Sequence, residues 1–228
     1  MYRYWVALDG DISFHNKRGS GSLIDIGCNE GRGLTLYKHN GFTSEGLELN
    51  KNAAKIARSK GFVISEKTIE EFEPYSKFDV VVLSNVLEHS TDSIGMLSQV
   101  RRILNDSGVV WISCPNNRSW LRHVFGKYWI NWHVPFHTVH YSVDSLKKAL
   151  NGAGFNLISI GYETPSLWIA HSVIAFLFAR PGKLTVKLRN PLLVCFLMLL
   201  IRGLLFPVLW LGNLCGYGDC LVVTAQKS

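Results

Sequence analysis

Between Leu23 and Gly33 the chain reads LIDIGCNEGRG, an apolar run carrying Asp25 followed by glycines at positions 27, 31 and 33. Glycine lets a backbone approach a ligand with no side chain in the way, and a helix beginning just after such a turn offers free N–H groups. Phosphate is one guest for that arrangement. The spacing is neither GxGxxG nor GxxxxGKS/T, so it matches neither the dinucleotide nor the P-loop pattern. Asp25 would repel a polyphosphate and suits a ligand carrying positive charge. About twenty residues on, GLELN puts Glu48 at the end of the next strand candidate, where a carboxylate can accept both hydroxyls of a ribose. Two further groups of residues can move a proton: the pair Glu88-His89 in NVLEHS, and His133, His137 and His140 in NWHVPFHTVHYS. Histidine titrates near neutrality and can take a hydroxyl proton.

These side chains need elements that hold them. Leu23–Ile26, Gly46–Leu49, Phe62–Ser65, FDVVVLSN from Phe78 to Asn85, GVVWISCPN from Gly108, Phe155–Ile160 and DCLVVTAQ from Asp219 are expected strands. Helices are expected at Gly31–His39, Asn52–Lys60, Asp92–Leu104 and Val143–Leu150, the last capped by Ser142 and ended at Gly152 and Gly154. The run at 78–85 is almost continuously apolar, as in a strand covered on both faces. Alternation of this kind implies an α/β fold, a Rossmann-like doubly wound and mainly parallel sheet. Ligands of such sheets sit beyond the carboxyl ends of the strands, where Asp25 and Glu48 fall.

A glycine turn, a ribose acid and an acid facing a cation together suggest S-adenosylmethionine, whose sulfonium and ammonium are positive. The chain resembles the class I S-adenosylmethionine-dependent methyltransferases, and within them the branch of the ubiquinone-biosynthesis O-methyltransferases. LIDIGCNEG, FDVVVLSNVLEHSTD and HTVHYSVDSLKKALNGAGF carry the likeness, which covers about residues 23–160 and the last strand. It implies seven strands with the last antiparallel. It also implies that Asp25, Gly27, Cys28 and Gly31 line the methionine part of the cofactor, that Glu48 holds the ribose, and that Thr68 and Ile69 flank the adenine. Asn85 and Val86 would close the site. Asn29 stands where the family usually has glycine, and Asn tolerates the left-handed conformation better than most residues.

Methyl transfer is an in-line displacement at a carbon already activated by the sulfonium, so alignment and desolvation supply much of the acceleration. A hydroxyl acceptor gains from a general base. His137 matches a histidine frequent in this family just before the helix and ranks first; His89 with Glu88 follows, the pair serving otherwise to organise its loop. His133 and His140 read as packing or surface residues. No metal is expected. Quinone O-methyltransferases whose corresponding loop is linked to a divalent ion carry an extra Glu where Asn85 stands, and Pro135 interrupts any helix that would align the three histidines.

Between the sixth and seventh strands the family usually has a short connection. Here it runs from about Tyr162 to Gly218 and holds SLWIAHSVIAFLFA and PLLVCFLMLLIRGLLFPVLWLGNLC, the second with Arg202 as its one charge over more than twenty residues, enough for a bilayer. Both flanking strands belong to one sheet, so the chain must return to the same side. The linker RPGKLTVKLRN carries Arg180, Lys183, Lys187 and Arg189, and basic loops favour the cytoplasmic face. The expected arrangement is an insertion dipping into one leaflet from the cytoplasm, with bends at Pro191, Gly203 and Pro207. The alternative is a buried helical hairpin that caps the sheet or forms a dimer interface. The organisation expected is thus a lead-in at 1–20, a core at 21–162, the insertion at 163–217 and the final core strand at 218–228.

Composition agrees. Of 228 residues 47% are hydrophobic and only 18% charged, with net charge +7. Five scattered cysteines without CxxC argue against disulfides and structural zinc, and fit a reducing compartment. The first residues lack the apolar core of a secretory signal. Much of the positive charge flanks the apolar insertion and no Asn-Pro-Pro-Tyr-type base-flipping motif occurs, so nucleic acid is not an expected partner. The acceptor is expected to be lipid-embedded or lipid-linked, a polyprenyl quinone precursor or a glycan intermediate, met by an enzyme peripheral or monotopic on the cytoplasmic face of a membrane. A non-catalytic membrane adaptor keeping the fold is the other reading. Oligomeric state is not legible.

Overall fold

The computed structural model describes residues 9–179 and 190–228. The basic positions 180, 183, 187 and 189 of the expected linker, and the first eight residues of the lead-in, lie outside the described residues. Seven strands form one sheet in the order β3-β2-β1-β4-β5-β7-β6. They are β1 (Ser22–Ile26), β2 (Thr43–Leu47), β3 (Ile64–Ser65), β4 (Phe78–Ser84), β5 (Leu104–Pro115), β6 (Phe155–Glu163) and β7 (Cys220–Lys227). The first five pair in parallel, and β7 runs antiparallel between β5 and β6. The expected architecture, including the reversed last strand, is the one observed.

Alternation along each strand divides the core into two faces. Ile24, Val81, Leu83 and Ile112 meet Leu97, Val100 and Leu150 on one side. Leu23, Val80, Val82 and Trp111 meet Leu34, Tyr37, Ala54 and Ala57 on the other. The first side is covered by α3 (Ser93–Ile103) and α5 (Val143–Gly152), the second by α1 (Arg32–His39) and α2 (Lys51–Ser59). Each start has a local cause. Asn50 accepts from the amides of Asn52 and Ala53, Asp92 from that of Gly95, and Ser142 forms a capping box with Ser145; such caps satisfy amides that the helix itself leaves free.

Between β5 and α5 the chain makes the short helix α4 (Trp120–Phe125) and two single turns of tighter helix at 126–128 and 130–132. Leu121 and Trp129 of this loop pack with Ile169, Ala170, Ile201 and Leu209 in a third apolar cluster. The last four come from the insertion, which consists of α6 (Ser166–Phe178) and α7 (Pro191–Leu214). α6 is largely inside the protein: Ile169, Ala170, Ser172, Ile174 and Ala175 are buried. α7 is not. Its contact stripe is Leu197, Ile201 and Leu209, while Leu192, Phe196, Leu199, Leu204, Leu211 and Leu214 are exposed. Pro207 lies within α7, which continues past it and past Gly203, so neither position ends the helix. Residues 192–214 are long and apolar enough to cross a membrane by length and composition.

Candidate active site

β1 delivers Asp25 and then gives way to a turn with three residues in the left-handed region: Gly27 at φ 77°, Asn29 at 50° and Gly31 at 73°. Asn29 adopts there the conformation its residue type tolerates. A Cβ added to Gly27 would sit 2.9 Å from Val86 Cγ2, so this glycine lets two loops close on one crevice. Gly31 has a different use, since a Cβ there would fall 3.0 Å from Ala57 Cβ, where α1 crosses α2. Cys28 is buried, its Sγ beneath β2 against Gly46. Of the turn residues that the resemblance assigns to the cofactor, Gly27 therefore faces the crevice, while Cys28 points its side chain into the core and Gly31 seats a helix.

A cavity of about 390 Å³ opens beyond the ends of β1 and β2, lined by Gly27, Glu48, Thr68, Ile69, Val86 and His89 among others. Five of these six were expected at the cofactor, and one was expected to act on the acceptor. Glu48 Oε2 accepts from the Asn29 amide at 2.9 Å and its Oε1 from the Asn50 amide at 2.7 Å. The carboxylate thus ties the glycine turn to the start of α2 and keeps lone pairs for further donors.

Asp25 is 6% exposed. Burial pushes its carboxyl up to about 7; the nearby Tyr37 hydroxyl opposes the rise and the Glu48 charge adds to it. The Tyr37 hydroxyl in turn donates to the Ser13 carbonyl at 2.8 Å, while Ser84 and Ser113 donate to the Ile12 carbonyl at 2.9 and 2.7 Å. The lead-in therefore lies across the tips of β1, β4 and β5. A second cavity of about 300 Å³ there is lined by Ser13, His15, Arg32, Trp168 and Met198. Sequence reasoning treated residues 1–20 as an irregular lead-in. The aromatic Phe14, buried against Tyr37, Phe42 and Trp111, was the signal that this segment is anchored.

After β4, Asn85 also takes a left-handed conformation, φ 54°, and its buried side-chain oxygen has no partner among the described residues. Glu88 is 1% exposed, and neither carboxylate oxygen has a hydrogen-bond partner there. Burial raises its carboxyl to about 8, which favours the protonated form. Its backbone carbonyl accepts from the amides of Thr138 and Val139, which binds the histidine loop to this turn. His89 and His137 face each other with ring centroids 4.8 Å apart. His89 Nδ1 lies 2.8 Å from the Phe136 carbonyl and His137 Nδ1 2.8 Å from the Asn131 carbonyl. A carbonyl only accepts, so each Nδ1 carries the proton and each Nε2 keeps its lone pair. Burial lowers His137 to about 4; its Asn131 bond opposes that, and the neighbouring His89, His133 and His140 add to it. Glu88, His89 and His137 each offer a ligand atom, all within 4.8 Å of one another, a donor set that a divalent ion could also use. His140 packs its ring on Trp132 and His133 stacks beside Phe136.

A doubly wound sheet with β7 reversed, a glycine turn at the first strand end and an acid at each of the first two strand ends define a nucleoside-binding α/β protein of the methyl-transfer type. The family model described as a methyltransferase domain matches residues 10–160. The chain belongs to that family, the class I S-adenosylmethionine-dependent methyltransferases. It is 31% identical over 120 residues to a ubiquinone biosynthesis O-methyltransferase of Bradyrhizobium sp. strain ORS 278, covering 48% of this chain and 47% of that protein. The chain spans about half the length of the curated relatives it matches. Among solved structures, a SAM-dependent methyltransferase of Thermotoga maritima described as a possible histamine N-methyltransferase aligns with TM-score 0.61 at 18% identity, over 100% of this chain and 94% of that one. The Burkholderia thailandensis 1,6-didemethyltoxoflavin-N1-methyltransferase, solved with its acceptor and S-adenosylhomocysteine, aligns with TM-score 0.55 at 15% identity, over 98% and 78%. At these identities the likeness speaks for the fold.

Proposed function

We propose that the chain transfers a methyl group from S-adenosylmethionine to a hydroxyl of a lipid-embedded or lipid-linked acceptor at the cytoplasmic surface of a membrane. The observation that carries the cofactor reading is Asp25, a buried carboxyl held above its ordinary range, its Oδ2 3.0 Å from where a Cβ on Gly33 would sit. A cationic ligand would return to it the partner that burial removes. The Glu48 carboxylate supplies acceptors in the neighbouring crevice, and the buried Asn85 oxygen has no partner of its own among the described residues. In this reading Asp25 and Gly27 hold the methionine end, with Cys28 and Gly31 shaping the turn; Glu48 binds the ribose, Thr68 and Ile69 flank the adenine, and Asn85 and Val86 close over it. The cofactor supplies a methyl carbon already activated for displacement. The acceptor oxygen attacks it in line, and His137 Nε2 takes the hydroxyl proton, with His89 as the second candidate. Glu88 ties the histidine loop to the turn after β4 through its backbone carbonyl, and the reading needs no metal.

The membrane half rests on α7, which is apolar on every side yet mostly exposed. A helix apolar all round belongs either in a protein core or in lipid. α6 has 13 residues, about 20 Å, too short to recross a bilayer whose hydrocarbon is about 30 Å thick. α7 would therefore lie in the interface, one stripe on the protein and the remainder in lipid. A polyprenyl quinone precursor and a lipid-linked glycan intermediate both suit such a site. Two measurements test the proposal. Calorimetry with S-adenosylmethionine decides between enzyme and adaptor: absence of binding at millimolar cofactor favours the adaptor. Lipid extracts of cells with and without the protein should differ by one methyl group in one species; identical extracts would remove the lipid acceptor.

A further inference from the structure

One buried carboxylate outside the crevice gathers donors from the segment that leads into the histidine loop. Asp219, the residue before β7, is 1% exposed. Its Oδ1 accepts from the Ser119 hydroxyl and from Trp129 Nε1, the latter at 2.9 Å; its Oδ2 accepts from Asn131 Nδ2 at 3.2 Å. These donors span 119 to 131, a stretch with only six residues of α-helix and two single tight turns to give it shape. The backbone of Asp219 is fixed as well. Its amide donates to Thr164 Oγ1 at 3.3 Å and its carbonyl accepts from the Asn116 amide at 2.9 Å. Thr164 donates to Asn213 Oδ1 at 2.6 Å, so the same node reaches the last turn of α7.

The consequence falls on His137. Its Nδ1–H donates to the backbone carbonyl of Asn131, the residue whose side chain Asp219 holds. Asn131 is 5% exposed, and its side chain and its carbonyl face two different partners. Fixing the one aims the other. We propose that Asp219 is a positioning residue: by anchoring Asn131 it holds His137 in the Nδ1–H tautomer, with Nε2 keeping its lone pair and the ring packed edge-on against His89. The catalytic consequence rests on the reading of His137 as general base; the positioning does not.

The test therefore reads the tautomer and not turnover. Long-range proton–nitrogen correlation spectra of the full chain report which ring nitrogen of each histidine is protonated. Wild type should show His137 protonated at Nδ1. Asn131→Ala removes only the contact with Asp219 and leaves Ser119 and Trp129 on the carboxylate; the Nδ1–H pattern of His137 should lose its dominance, while exposed His39 stays as it was. Asp219→Leu, which keeps about the same shape and removes every acceptor, should show the same loss. An unchanged His137 tautomer in whichever of the two variants folds overturns the proposal. Loss of turnover in His137→Ala tests the base reading separately.

Discussion

If Asp25 holds the cofactor as proposed, its charge state ties affinity to pH, with the sign set by its burial. The carboxyl is held at about 7 against an ordinary 3.8. The ionised form is the one that attracts a cation, so apparent affinity scales with the ionised fraction. That fraction is about 3% at pH 5.5 and about one half at pH 7, so S-adenosylmethionine should bind about fifteenfold more tightly at the higher pH. The same shift affects stability in the opposite sense. Between pH 3.8 and 7 the folded protein keeps a proton that the unfolded chain has released. This contribution is therefore greatest below pH 3.8, falls through that window and is gone above 7. The loss is about 4 kcal/mol at most, from roughly three pK units. Asp25→Asn is neutral at every pH, so without cofactor it should melt higher than wild type at pH 8, by about 5–10 °C, and should bind S-adenosylmethionine poorly at any pH. Calorimetric titrations at pH 5.5 and 7, together with melting curves of both proteins, measure all of this. Equal wild-type affinity at the two pH values, or wild-type affinity in Asp25→Asn, would refute the assignment of Asp25 to a cationic ligand.

Glu48→Gln should weaken cofactor binding, and because it also weakens the bonds from the Asn29 and Asn50 amides it should cost about 1–2 kcal/mol in urea unfolding; unchanged affinity would leave Glu48 a purely structural tie. His137→Ala should lower transfer of labelled methyl into a lipid extract by about 10²–10⁴-fold while cofactor affinity holds, as expected for a base that acts on the acceptor alone. Treatment with a chelator should leave wild-type transfer unchanged; a loss restored by a divalent ion would reassign Glu88, His89 and His137 to a metal. Leu199→Glu with Leu204→Glu, at side chains 61% and 70% exposed, should leave the melting point alone and reduce sedimentation with anionic vesicles by about 100-fold. Deleting the whole insertion would be a poorer test, because it would strip Ile169, Ala170 and Leu209 from Leu121 and Trp129.

The parts of the molecule that could be read from the sequence are those governed by short-range rules. A strand buried on both faces shows itself as FDVVVLS, a capped helix as SVDS, and a left-handed turn as glycines with an Asn in the one tolerant place. The edge of the sheet was read less well. β3 keeps only Ile64 and Ser65 of the four expected residues, because pairing on one side only leaves the ends of an edge strand to local geometry. β2 begins at Thr43 where Gly46 was expected, because its first residues, Thr43, Ser44 and Glu45, are polar and are held in the strand by register with β1 and not by an apolar pattern. The loop at 116–141 could not be read, because its shape comes from a carboxylate about ninety residues further along the chain. No window of sequence contains that interaction.

The same distinction explains the candidate site. Gly27, Glu48, Thr68, Ile69 and Val86 fall within four residues of a strand end, so finding the strands located them, and the structure gathers all five around one cavity. Which way a side chain turns from such a position depends on what packs beside it. Cys28 turns inward because Gly46 leaves room for its sulfur, and Gly31 serves α2 because Ala57 stands opposite. Glu88 and His89 are adjacent in sequence, yet Glu88 is buried without a hydrogen-bond partner and His89 stands in the cavity with its Nδ1 on Phe136. That contrast concentrates the chemistry in a small region. A buried acid, two imidazoles whose Nδ1 atoms are committed to backbone carbonyls and a left-handed turn at Asn85 all lie within the few residues after β4 and the loop facing them.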